Sequence, residues 1–140
     1  MKMKLLKIVF FLVIMSCNAI AKSNYFNEGL VYYENKELDK AKFKFEQDIV
    51  YNPKNEKSYL YLSKIFNLQK KKELEEKNLN TVILLNPKNE EATYNLAQLK
   101  LQTSDFEGSK SLIDKLLIFC KEYCEKSQKL KVEIENSLKK

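Results

Sequence analysis

The pentapeptide Asn52-Pro53-Lys54-Asn55-Glu56 returns as Asn86-Pro87-Lys88-Asn89-Glu90, 34 residues later and without a gap. A fixed period of that length marks a helical solenoid, whose units are helix pairs that cannot bury their apolar faces alone and so stack around one shared core. The flanking residues agree. Tyr59, Leu62 and Phe66 stand at i, i+3 and i+7, as do Leu38, Ala41 and Phe45, which is the spacing of one helical face. Asn52 and Asn86 each precede a proline, which disfavours helical geometry in the residue before it, so a helix ends at each. Asn55 and Asn89 are then placed to cap the next helix. Ser104 with Glu107 forms a capping-box pattern that opens a sixth helix, with Gly108 as an isolated breaker inside it. Strand signals are absent, so the chain reads as all-α.

Residues 1–21 read as an export signal. Lys2, Lys4 and Lys7 precede the unbroken apolar stretch from Ile8 to Met15, and Ala19-Ile20-Ala21 supplies a small-x-small cleavage site. The stretch is shorter than the roughly 20 residues a bilayer-crossing helix needs, so no membrane span is expected. A second reading uses Cys17, because Ile14-Met15-Ser16-Cys17 resembles a bacterial lipobox whose cysteine is acylated and becomes the mature N-terminus. Both readings export the protein, to the periplasm in the first case and to a membrane-anchored lipoprotein in the second.

Loss of residues 1–21 removes three lysines and no acid, leaving 22 lysines against 19 acids and a net charge of +3. That charge is mild, and arginine is absent, which argues against a nucleic-acid partner, since bidentate base and phosphate readout favours the guanidinium fork. Lys70-Lys71-Lys72 is the one basic run and reads as a solvated turn between helices. Catalysis has little material: there is no histidine, no glycine-rich phosphate loop and no base to activate a cysteine. No enzymatic activity and no cofactor are expected.

With Cys17 removed or lipidated, Cys120 and Cys124 remain as an even pair in an oxidising compartment. They suit a small disulfide if a helix end between them relaxes the geometry. The alternative is two free thiols used as small apolar residues. A metal site is not expected, because two cysteines without histidine cannot complete a zinc shell.

The internal pattern resembles the tetratricopeptide repeat, whose signature runs W-x2-L-G-x2-Y, then A-x3-F, then P. Tyr25, Glu28, Gly29 and Tyr32, then Ala41 and Phe45, then Pro53 match it in the first unit. Tyr59, Leu62, Ser63 and Phe66, then Glu75 and Leu79, then Pro87 follow in the second. The third places Thr93, Leu96, Ala97 and Lys100, then Ser109 and Ile113, with Lys121 where proline is expected. The resemblance implies an α-α superhelix of three helix pairs, residues 22–55, 56–89 and a degenerate 90–121, with a C-terminal capping helix over 122–140. Leu130, Ile134 and Leu138 form the cap's apolar stripe. The small residues Gly29, Ser63 and Ala97 allow close helix approach, whereas Glu28 and Glu75 imply local loosening. Lys100 and Lys121 imply that the third unit leaves regular geometry at its end.

In such arrays the first helix of each pair lines a concave groove that takes an extended peptide or a helix. By register the groove would hold Phe26, Asn27, Leu30 and Tyr33, then Tyr61, Lys64, Asn67 and Leu68, then Tyr94, Asn95, Gln98 and Leu101. Rings supply buried area and amides bond to a peptide backbone. Phe26, Leu30, Leu68 and Leu101 would serve equally as packing between helices. The lysine and asparagine with which some members grip a peptide's terminal carboxylate are here Phe26 and Leu30, so that clamp is not expected. The function implied is a protein-binding adaptor of the cell envelope. A structural part of an envelope assembly, such as a secretion or pilus apparatus held by its outer surface, is the alternative.

Overall fold

A computed structural model describes residues 24–139, so the export signal, its cleavage site and Cys17 lie outside the described residues. Seven helices follow in order: α1 (Tyr25–Glu34), α2 (Leu38–Tyr51), α3 (Glu56–Leu68), α4 (Lys72–Leu85), α5 (Glu90–Gln102), α6 (Phe106–Phe119) and α7 (Cys124–Leu138). They form antiparallel pairs, α1 on α2, α3 on α4 and α5 on α6, with α2 packed on α3 and α4 on α5. Helix α7 closes the array against α6 and touches α5. The described residues are an all-α repeat solenoid of three helix pairs and a terminal helix.

Three apolar clusters hold the stack. The first gathers Ala41, Phe45, Leu62, Ile65 and Phe66, the second Leu60, Leu79, Val82, Ala92, Leu96 and Leu99, and the third Ala97, Ile113, Leu116, Leu130 and Ile134. Each spans neighbouring units, so no pair completes its core alone. The small residues do what their register implies. Gly29 is buried, and a Cβ there would come within 2.6 Å of Phe45 Cε1, so a larger side chain overpacks by about 1–3 kcal/mol. Ser63 and Ala97 are buried at the equivalent places.

Every pair turns the same way. Lys36, Lys70 and Ser104, 34 residues apart, adopt left-handed φ of 64°, 57° and 64°. The residue after each donates its N–H back across the helix end: Glu37 to Tyr32 O, Lys71 to Phe66 O and Asp105 to Lys100 O, all at 2.9 Å. This is a Schellman ending built without glycine. It displaces the expected capping box, because Ser104 belongs to the ending of α5 and Asp105 caps α6, accepting from Gly108 N at 3.0 Å.

The asparagines also part company. Asn89 caps α5, accepting from Ala92 N at 2.9 Å, but Asn55 does not cap α3 with its side chain. Its Nδ2 donates instead to Asp48 at 2.6 Å, a carboxylate only 1% exposed that also accepts from Asn52 Nδ2 at 2.9 Å and Ser58 Oγ at 2.5 Å. In the next unit Val82 and Ala92 occupy the places of Asp48 and Ser58, leaving Asn89 free to cap.

The third unit stays regular to its end, contrary to the expectation from its lysines. Lys100 pairs with Glu76 at 2.7 Å and Asp105 at 3.2 Å, and α6 runs its full length. Lys121 replaces proline because its N–H is used. Glu90 accepts from the N–H groups of Lys121, Glu122 and Tyr123 at 2.8, 2.9 and 2.9 Å, and these donors, Lys121 first, hold its carboxyl below its ordinary range. Proline could donate nothing there. Cys120 ends α6 and Cys124 begins α7, and the two are joined across this helix break with Cα atoms 5.3 Å apart. A bridge over so short a span closes little chain and adds less stability than a long-loop one. Leu130 and Ile134 cover the third cluster, while Leu138 stays 39% exposed.

Candidate partner-binding cleft

The first helices of the three pairs converge on a cleft of about 220 Å³. Tyr33 enters from α1, Lys64, Asn67 and Leu68 from α3, and Asn95 and Gln98 from α5. These are six of the twelve positions the register assigns to the groove. Ser63, Leu99 and Gln102 complete the walls, and Glu75 of α4 completes the floor. Gln102 extends the Asn95–Gln98 stripe by one turn, a continuation visible in the spacing. Among the described residues, the side-chain amides of Asn95, Gln98 and Gln102 have no hydrogen-bond partner, so each offers a donor and an acceptor to a ligand.

The other six assigned residues lie elsewhere. Phe26 and Leu30 pack on the first cluster and Leu101 on the third. Tyr61 is enclosed by aromatic rings, with centroids of Phe26, Tyr33 and Phe45 at 5.9, 5.2 and 5.2 Å, and the Lys64 ammonium 4.7 Å above its own ring. Tyr94 lies under Tyr123 of the segment entering α7, centroids 5.4 Å apart, and burial pushes its phenol up. The capping segment covers a ring that the register alone leaves open. Asn27 is exposed on a separate cleft at the solenoid's first end, beside Tyr51 and Pro53. The aromatic rings are therefore supports, and the amides form the accessible wall.

Charge is distributed unevenly. Lys64 is answered by Glu91 at 2.8 Å. Glu75 sits where Ala41 and Ser109 sit in the other units, at 5% exposure, and desolvation raises its carboxyl above the ordinary range despite the Asn67 hydrogen bond and nearby Lys72. No loosening accompanies it: α4 is continuous from Lys72 to Leu85. Glu28, the other acid thought to loosen its unit, pairs with Lys44 at 2.6 Å. The described residues hold no metal-ligating cluster, and no helix among them is long and apolar enough to cross a membrane.

Comparison with solved structures gives this geometry a context. One similar structure is the first domain of Spaghetti (RPAP3) bound to the HSP90 peptide SRMEEVD, at 16% identity over 83% of this chain and 91% of that one, with a TM-score of 0.74. The TPR2B domain of yeast Sti1, in a complex with pHsp70, is similar at 12% identity over 81% and 98%, TM-score 0.73. The chain has the fold of a tetratricopeptide repeat domain. The same fold appears in the Yersinia enterocolitica type III secretion chaperone SycD with a peptide of the translocator YopD, at 13% identity over 81% and 88%, TM-score 0.71. At these identities the tetratricopeptide likeness is one of fold. No family model and no curated protein matches the chain.

Proposed function

We propose that this protein is a non-catalytic adaptor of the bacterial cell envelope that takes an extended segment of a partner protein along the concave face of its solenoid. The supporting observation is the cleft itself, which lies between first helices and carries three unpaired amides on one wall. Its volume of about 220 Å³ falls below the roughly 300–1,000 Å³ of small-molecule sites, which suits one side chain of a longer ligand. The neighbours solved with peptides show that the fold accommodates such ligands. Export rests on residues 1–21, and the chain's intact mass after fractionation tests it: a start at Lys22 supports the plain signal, a diacylated start at Cys17 the lipoprotein, and a cytoplasmic chain keeping Met1 neither.

One observation favours the alternative of a structural part held from outside. Val50, Leu84 and Ile118 are 75%, 81% and 85% exposed at the same register place of α2, α4 and α6. A photo-crosslinking residue at Gln98 or at Leu84 separates the two in cells. Adducts from Gln98 that vanish in Asn95→Ala support the cleft, and adducts from Leu84 alone transfer the function to the outer face.

A further inference from the structure

Glu75 is the one charged group of the cleft without a counter-charge within ion-pairing distance among the described residues. Its Oε1 accepts from Asn67 Nδ2 at 3.0 Å. Its Oε2 has no protein partner among the described residues. Yet it is absent from the enclosed and unpaired side-chain atoms, which are Gln47 Oε1, Gln69 Oε1 and Ser127 Oγ. Solvent therefore reaches Oε2, and Glu75 is among the residues that line the cleft. A carboxylate 5% exposed, with one oxygen fixed and the other turned to an opening, is a preformed acceptor for a cation that arrives with its own apolar stem.

From this we infer that the cleft selects a partner segment by a lysine or arginine side chain, which enters between α3 and α5 and places its cationic head on Glu75. The inference rests on the peptide-binding reading above. Leu68 and Leu99 line the same cleft and offer apolar surface to the methylenes of such a side chain, and Asn95 and Gln98 offer amides to the backbone beside it. Lys64 does not compete for Glu75, because Glu91 already holds it. An acidic segment finds two carboxylates, Glu75 and Glu91, near the cleft and no free cation in its wall. Glu75 lies on a second helix, outside the register of groove positions, yet its place is one that alanine and serine fill elsewhere in the chain. A long acid at a small-residue position is the trace it leaves in the sequence.

The test pans a phage library of random nonapeptides on the full chain and measures the enriched peptides by fluorescence anisotropy against wild type and Glu75→Gln. Glutamine is isosteric and keeps an acceptor for Asn67, and circular dichroism confirms that the variant folds. Lysine or arginine at one fixed position is expected, and its replacement by glutamine should weaken binding to wild type at least tenfold. Glu75→Gln should lose the same factor on the basic peptide and nothing on the neutral one. Enriched peptides with no basic position, or an equal loss on both peptides in Glu75→Gln, overturn the inference and leave the cleft reading standing. A library that yields no binder, or binders indifferent to Asn95→Ala with Gln98→Ala, overturns both.

Discussion

Two carboxylates are buried on second helices of this solenoid, and they are treated in opposite ways. Asp48 of α2 collects three donors from Asn52, Asn55 and Ser58, while Glu75 of α4 receives one, from Asn67. The first acid is knotted into the junction between two units and contributes to holding them in register. The second faces an opening and is held short of satisfaction. Burial of an acid therefore says little by itself about its role, and the number of donors aimed at it says a good deal.

The largest test transplants the first acid without its donors. Val82 occupies Asp48's place in the second unit and is fully buried beside Ala92, which lacks the hydroxyl of Ser58. Val82→Asp should cost about 3–5 kcal/mol in urea denaturation, the scale of an uncompensated buried charge. Adding Ala92→Ser should return part of that loss, since Asn86 and Asn89 are already in place. If the double variant is no better than the single one, the donor set is not what makes Asp48 tolerable.

A smaller loss is expected from Ser58→Ala, which removes one hydroxyl donor from Asp48 and should cost about 1.5–3 kcal/mol, the range for hydrogen bonds to charged groups. Asn89→Ala removes an ordinary helix cap and should cost about 1 kcal/mol. Equal melting shifts in these two variants would erase the distinction between a charged knot and a neutral cap. The smallest effect has the opposite sign. Burial raises the Glu75 carboxyl, so between its unfolded and folded values the native chain binds more protons and stability falls as pH rises. Glu75→Gln should therefore melt slightly higher than wild type at neutral pH, and the gain should fade as pH drops below the ordinary value of 4.5. A variant that melts lower at neutral pH would make Glu75 a structural acid like Asp48.

The repeat made the architecture readable. The asparagine-proline helix ends, the small residues at 29, 63 and 97, and the joined cysteines all stand where the 34-residue period places them. What the period could not reveal is what differs between its copies. Asn55 and Asn89 share a pentapeptide and perform different tasks, because the deciding residues are Asp48 and Ser58, outside it. Six of the twelve groove positions lie away from the cleft for a related reason. Register fixes which way a side chain leaves its helix, but Tyr61 is enclosed by rings from α1 and α2, and Tyr94 by a segment with no counterpart in the repeat. The amides were legible because polar side chains on a shared face have nothing to pack against. Glu75 was legible only as an anomaly, since its side chain reaches the cleft from a helix the register assigns to the outside.

Solenoids ordinarily fray from their ends, each terminal helix opening alone. Here the three amide protons that Glu90 collects lie 31 to 33 residues further along the chain, just where α7 departs. Those protons are shielded only while the first turn of α5 is wound, so α7 cannot peel away without disturbing the unit beneath it. In hydrogen exchange the amides of Lys121, Glu122 and Tyr123 should follow a common rate set by the opening of the third unit. The C-terminal third of the molecule would then breathe as one body.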